Sequence, residues 1–346
     1  MKILIVGDIH LSRTLPYRQI GEENSNDRYD FRLKLLSDTI KNYEYVISLG
    51  DVVDVPDTVD LQLMYDFVQA TKHVTKFFHV LGNHDRRNIP KQKSMFDVLA
   101  AMSDTFVTFN ECALVDAGNT SLVFVPYYEE EAKIVECVEK ALRSTKKVYI
   151  LGHFNFHDPL MGGKNFNDDW LISVAKRGGR FILGHFHNPS AIKINGLEIG
   201  QYVGSLNPIG FKEEQGYCLE LDTEKGTLTR VEYSQTELFI ETEYRAGNWF
   251  KLPKYDASHR VYLKVRYDAD KYTREEVKAA VAEVCPYAKT VILIAQSENQ
   301  LERVESVELE YQTDEEFVRS VALEKGMDLD KVIEKHRQIR DGFFNV

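Results

Sequence analysis

Five short segments carry most of the chemistry in this sequence. They are Gly7-Asp8-Ile9-His10, Gly50-Asp51-Val52-Val53-Asp54, Gly82-Asn83-His84-Asp85, Gly152-His153 and Gly184-His185-Phe186-His187. Each places an imidazole, carboxylate or carboxamide directly after a glycine, and together they hold five of the ten histidines. Imidazole and carboxylate without thiolate make a donor set for Mn, Zn or Fe. Two such cations about 3.5–4 Å apart clamp an anionic phosphate ester and turn bound water into a nucleophile near neutral pH. A carboxylate shared between the ions holds their spacing. A neighbouring histidine can protonate or stabilise the leaving oxygen, a step typically worth ~10²–10⁴-fold. One such segment alone reads as a locally satisfied loop, whereas five in series read as a site. The remaining histidines (His73, His79, His157, His259 and His336) read as incidental, with His157 close enough to His153 to line the site.

The elements that must position these residues are visible as apolar runs. Strands are predicted over 2–6, 45–49, 76–81, 121–125, 148–151 and 180–183, rich in Val, Ile, Leu and Phe as buried strands are. Five of the six end in one of the glycine segments. Helical spacing of apolar residues predicts helices over 32–42, 60–74, 129–143 and 168–177. Ligands of such sheets gather at the carboxyl ends of the strands, where these segments fall. Residues 197–203, 217–221 and 227–233 read as a strand meander closing the sheets, giving an α/β core that receives antiparallel strands. A small α+β unit follows, with a strand at 260–267, a helix at 273–284 and a strand at 289–295. Residues 298–316 hold eight acidic residues against one Arg, the composition of a solvated linker. Two helices, 314–325 and 329–340, close the chain. The expected division is 1–235, 236–297 and 298–346.

Composition narrows the classes. The 346 residues carry 43 Lys or Arg and 54 Asp or Glu, a net charge of −11, with 43% hydrophobic and 28% charged residues. These proportions suit a folded globular chain and exclude collagen-like or disordered ones. No apolar run approaches the 18 or so residues of a membrane span. The acidic balance excludes a protein that holds nucleic acid by net charge alone. The four cysteines (Cys112, Cys137, Cys218 and Cys285) form no C-x-x-C pair and read as free thiols in a reducing compartment. The opening Met1–Asp8 reaches a carboxylate too soon for a secretory leader, so a cytoplasmic location, bacterial or in a phage-infected host, is expected. There is no GxxxxGK[ST] loop, so any use of ATP falls to a partner.

The series DxH, GDxxD, GNHD, GH and GHxH, spanning residues 8–187, resembles the calcineurin-like metallophosphoesterase superfamily. The stretch Tyr202-Val-Gly-Ser-Leu-Asn-Pro-Ile-Gly-Phe-Lys-Glu-Glu-Gln-Gly-Tyr217 is similar to the corresponding segment of SbcD-type DNA-repair nucleases. The compact length is most similar to the nuclease subunits of phage recombination endonucleases. The resemblance implies a β-sandwich flanked by helices, a small α+β capping domain and C-terminal helices. It implies two metals, commonly manganese with magnesium as the alternative. Asp8, His10 and His187 would hold the first ion and Asn83, His153 and His185 the second, with Asp51 bridging. His84 would act on the phosphate, with Asp85 orienting it. Relatives often have His where this chain has Asp54, and that His is associated with exonuclease action. Asp54 therefore puts processive exonuclease action in doubt and is left the task of orienting a ligand from behind.

Two further expectations concern partners. Arg86, Arg87, Lys91 and Lys93 follow GNHD and could meet the phosphate backbone of DNA without reading its sequence. Lys164, Lys176, Arg177 and Arg180 form a weaker patch. By resemblance, the helical tail docks on the coiled coil of an SbcC-like ABC ATPase, with Phe317, Val321, Leu329 and Val332 as anchors, and the nuclease forms a homodimer. The expected activity is an Mn-dependent DNA endo- or exonuclease serving recombination, repair or replication. Two alternatives stand beside it: a small-molecule phosphomonoesterase or cyclic-nucleotide phosphodiesterase, and a non-catalytic DNA-end scaffold.

Overall fold

The structure is a computed structural model. It describes residues 1–296 apart from 14–26, 55–59, 87–92, 145, 157–163, 212, 233–236, 246–247, 251–259 and 286–287. Arg87, Lys91, His157, the acidic stretch 298–316 and the tail anchors Phe317, Val321, Leu329 and Val332 lie outside the described residues.

The first half of the chain runs Lys2–Val6 (β1), Asp27–Ile40 (α1), Tyr45–Ser48 (β2), Leu61–Thr71 (α2), Lys76–Val80 (β3), Met95–Met102 (α3), Phe106–Phe109 (β4), Ala113–Ala117 (β5), Thr120–Val125 (β6) and Glu131–Ala141 (α4). It continues with Lys147–His153 (β7), Asp168–Lys176 (α5), Gly179–Gly184 (β8), Ser190–Ile194 (β9), Leu197–Tyr202 (β10), Cys218–Asp222 (β11) and Thr227–Val231 (β12). The last described elements are Glu237–Arg245 (β13), Asn248–Phe250 (β14), Arg260–Asp268 (β15), Arg274–Val284 (α6) and Ala288–Gln296 (β16).

Two six-stranded mixed sheets form a sandwich. One has the order β12-β11-β1-β2-β3-β4, the other β5-β6-β7-β8-β10-β9. Strands β1 to β4 run parallel, as do β6, β7, β8 and β10, with antiparallel strands at the edges. Strand period explains the layering. Ile3 and Ile5 of β1 point inward and meet Leu122, Phe124, Leu151 and Ile182 of the facing sheet. Leu4 and Val6 point outward and pack with Leu36, Ile40, Phe67 and Phe96 of α1, α2 and α3. On the far side Val123, Val125 and Ile150 pack with Ile134, Val138, Leu171 and Val174 of α4 and α5. Each central strand is thus apolar on both faces, which is why the sequence shows unbroken runs there. Burying one such side chain is worth about 1.5–3 kcal/mol.

The expected meander over 197–234 is corrected. Strand β10 joins the second sheet beside β8, while β11 and β12 extend the first sheet beyond β1. The connection between them, 203–217, crosses the carboxyl ends of both sheets. The small module is a four-stranded sheet, β14-β13-β15-β16, with α6, rather than the two strands and helix expected. The chain divides into two compact units. The first joins Met1–Tyr267 with Glu275–Ile294, and the second, Asp268–Arg274 with Ala295–Val346, is described at few of its residues. Among the described residues no helix is long and apolar enough to cross a membrane.

Candidate metal centre

The carboxyl ends of β1, β2, β3, β7 and β8 meet at one edge of the sandwich and deliver all seven expected ligands. Three of these, His10, Asp51 and His185, hold left-handed backbone with φ of 49°, 48° and 81°. Non-glycine residues there cost of order 1–3 kcal/mol each and persist only where the surroundings fix them. The fixing contacts are present. Asp51 O accepts the N–H groups of Ile9 and His10, both at 2.9 Å. His185 N donates to both oxygens of Asp8, at 3.1 and 3.0 Å. Glycine is required at two neighbouring positions. Gly50 has φ 104° and a Cβ there would enter the His153 ring, while a Cβ on Gly82 would collide with the Asp51 carboxylate.

Hydrogen-bond partners assign the histidine tautomers. His10 Nδ1 donates to Asp54 Oδ1 at 3.1 Å, and His187 Nδ1 donates to Glu213 Oε1 at 3.0 Å. Their unprotonated Nε2 atoms then face each other at 3.1 Å, with Asp8 Oδ2 3.8 Å from His187 Nε2. His153 Nδ1 donates to Leu49 O at 2.8 Å, which turns its Nε2 lone pair toward Asn83 Oδ1 (2.9 Å) and Asp51 Oδ2 (3.2 Å). His185 Nδ1 approaches Asn83 Oδ1 at 3.1 Å and His153 Nε2 at 3.3 Å. Asp51 Oδ1 accepts the backbone N–H of His84 at 2.7 Å, leaving Oδ2 to look toward both His10 (3.9 Å) and His153.

Lone pairs facing lone pairs repel unless a cation lies among them, and donors sharing one ion at bonds of ~2.1 Å sit roughly 3 Å apart. Both sets meet that test, so the residues fit a pair of divalent ions. Asp8, His10 and His187 cluster on one side and Asp8, Asp51 and His153 on the other. Burial alone would lower His153, but the Asp51 carboxylate outweighs it and pushes the imidazole up to about 9. Burial likewise works against a raised His187, and Glu213 outweighs it. Burial pushes the Asp8 carboxyl up, whereas His153 draws Asp51 well below the ordinary range against its own burial.

His84 has a 40% exposed side chain, its ring meets that of His10 edge-on at 4.9 Å, and it forms a third cluster with His10 and Asp51. Its Nδ1 donates to the backbone carbonyl of Asp54 at 2.8 Å, which leaves Nε2 available to a substrate. Asp85, expected to orient His84, meets backbone groups. Its carboxylate accepts N–H groups from Gly82, Asp51, Val52 and Val53 at 2.8–3.3 Å. It therefore ties the end of β3 to the turn after β2, and Asp54 orients His84 in its place. Asp54 also holds His10, so one residue steadies two of the site's histidines. Glu213 is a functional residue that the sequence motifs missed, although the acidic pair 213–214 of the 202–217 stretch was its signal. His79, read as incidental, is buried, stacked on Phe96 and 3.1 Å from Asp85. Of the basic cluster, Arg86 lies over the Tyr128 ring beside Asn83, and Lys93 is exposed.

The calcineurin-like phosphoesterase family model matches residues 1–216. Among solved structures the chain is similar to a 5'-nucleotidase precursor from Thermus thermophilus, at 14% identity and a TM-score of 0.38, over 66% of this chain and 53% of that one. It is similar to an archaeal phosphodiesterase at 14% identity and TM-score 0.34, over 67% of this chain and 99% of that one. It is also similar to a phosphopantetheinyl hydrolase from Mycobacterium tuberculosis at 14% identity and TM-score 0.34, over 59% and 89%. The chain thus spans about half the length of the Thermus protein. No curated protein matches. With the family model covering residues 1–216 of 346 and three His and carboxylate groups at the strand ends that could hold a metal ion, the chain belongs to the calcineurin-like phosphoesterase family.

Proposed function

We propose that the chain is the nuclease subunit of an ATPase-coupled recombination or repair complex and hydrolyses DNA phosphodiesters with manganese. The observation that carries this reading is the placement of the 202–217 stretch, the part of the sequence most similar to SbcD-type nucleases. It crosses the mouth of the metal centre and supplies Glu213, which holds the ligand His187. Arg86, stacked on Tyr128 next to Asn83, is placed where a phosphate backbone can approach.

In this reading Asp8, His10 and His187 would hold one ion and Asn83, His153 and His185 the other, with Asp51 serving both. When bound, the ions supply Lewis acidity and an activated water. The protein's own groups do the rest. Asp54 keeps the proton of His84 on Nδ1, so a second proton on Nε2 makes His84 the acid for the leaving oxygen. Asp85 holds the turn at Asp51 so that its carboxylate keeps one direction. The helical tail serves as the docking segment for a coiled-coil ABC ATPase, and the active form is a homodimer.

The test is incubation of purified protein with Mn²⁺ and linear or single-stranded DNA, alone and with the cognate ATPase. Cleavage abolished by chelation is the expected result. Intact DNA in both conditions contradicts the nuclease reading. Rapid turnover of a generic phosphomonoester with intact DNA establishes the small-molecule alternative. Normal repair by a His84→Ala strain establishes the scaffold alternative.

A further inference from the structure

One buried carboxylate of the small module reaches both histidines assigned to the first ion. Glu237, at the start of β13, is fully buried, and so is Arg32 of α1. Arg32 Nε donates to Glu237 Oε2 at 2.8 Å, and Arg28 Nε donates to Glu237 Oε1 at 2.7 Å. Tyr262 of β15 donates its hydroxyl to the same Oε1 at 2.9 Å, and the Arg28 guanidinium lies against the stacked Phe239 and Tyr262 rings. A carboxylate holding two guanidinium groups fixes their planes, because each fork presents its remaining donors in set directions.

Those remaining donors point at the metal centre along two routes. Arg32 Nη1 donates to the carbonyl of His10 at 3.2 Å, pinning the residue whose backbone is left-handed. Arg32 Nη2 donates to Pro208 O at 2.6 Å, and Arg28 Nη2 to Pro208 O and Ile209 O at 3.2 and 3.1 Å. The N–H of Ile209 in turn donates to Glu213 Oε2 at 2.6 Å, and Glu213 Oε1 accepts from His187 Nδ1. The first route therefore ends on His10 and the second on His187. Among the described residues, neither route touches Asn83, His153 or His185.

We infer that Glu237 is a positioning residue of the first metal site, acting through Arg32 on His10 and through Arg28 and Glu213 on His187. The small module is in this view part of the metal site's scaffold and need not touch substrate to control the reaction. The inference rests on the assignment of Asp8, His10 and His187 to one ion. Partners behind a metal ligand typically govern 10–100-fold in affinity, which sets the size of the effect.

The test is a Mn²⁺ titration of the full chain, with the two binding steps assigned through His187→Ala and Asn83→Ala. Glu237→Gln, checked for native circular dichroism, is expected to weaken the first step about 10-fold and leave the second within about 2-fold. Equal weakening of both steps marks a general packing role and overturns the inference, as does an unchanged first step. If Glu237→Gln does not fold, Arg32→Lys decides. It keeps the charge beside Glu237 but cannot reach the His10 and Pro208 carbonyls together, so an unchanged first step there overturns the inference. A wild-type chain that binds fewer than two ions overturns the metal assignment itself, which is a distinct result.

Discussion

At the scale of single residues, the site is a set of strained or buried groups held by one another and by Asp54, Asp85 and Glu213. Asp54 serves two histidines, through its carboxylate to His10 and its carbonyl to His84. Asp54→Ala is expected to weaken metal binding about 10–100-fold, read by calorimetric titration, because His10 loses the acceptor that fixes its tautomer. His84→Ala is expected to lower turnover by ~10²–10⁴-fold while metal affinity stays near that of the wild type. A parallel fall in affinity would place His84 among the ligands. That these seven residues and His84 would converge was legible because glycine, donor type and strand end coincide in the sequence. The roles of Asp54, Asp85 and Glu213 were not. They depend on which backbone groups a turn presents after folding, and neighbouring carboxylates look alike in sequence.

At the scale of elements, β2 and β3 are stapled at their carboxyl ends by Asp85. Asp85→Ala leaves the N–H groups of Gly82, Asp51 and Val52 buried without that acceptor, at about 1–3 kcal/mol for each unsatisfied group. A lower urea midpoint together with weaker metal binding is expected, since Asp51 loses its anchor. The central strands were legible because both faces are buried. Strand β9, with burial confined to Ile192 and Ile194, and β5, half-buried along most of its length, escaped because an edge strand shows little apolar signal. Strand β13 escaped because its first residue is a buried glutamate, whose burial is made tolerable by two arginines on α1, more than 200 positions away, together with Tyr262. The split of β10 from β11 and β12 is a matter of long-range pairing, which local patterns do not record.

At the scale of the whole molecule, pH and metal should both act on stability through identified groups. Burial pushes Glu237 up, but Arg32 and Arg28 outweigh it and hold its carboxyl below the ordinary 4.5. A carboxyl depressed in the folded state stabilises fully above its unfolded value and loses that contribution as pH falls through the folded one. The wild type should therefore lose stability more steeply than Glu237→Gln below about pH 4.5, read as urea midpoints, and parallel curves would contradict the pairing. Mn²⁺ at about 100 times its dissociation constant should add about 2.7 kcal/mol per site, seen as a raised melting temperature that chelation reverses. The net charge of −11, which excludes passive binding of nucleic acid, is compatible with a site whose attraction for phosphate comes from its own ions. The most direct measurement is the ratio of DNA phosphodiester cleavage to phosphomonoester turnover in Mn²⁺, for wild type and His84→Ala side by side. The account predicts DNA cleavage that dominates in the wild type and is lost by ~10²–10⁴-fold in the variant. Phosphomonoester turnover with intact DNA, or equal cleavage by both proteins, would contradict it.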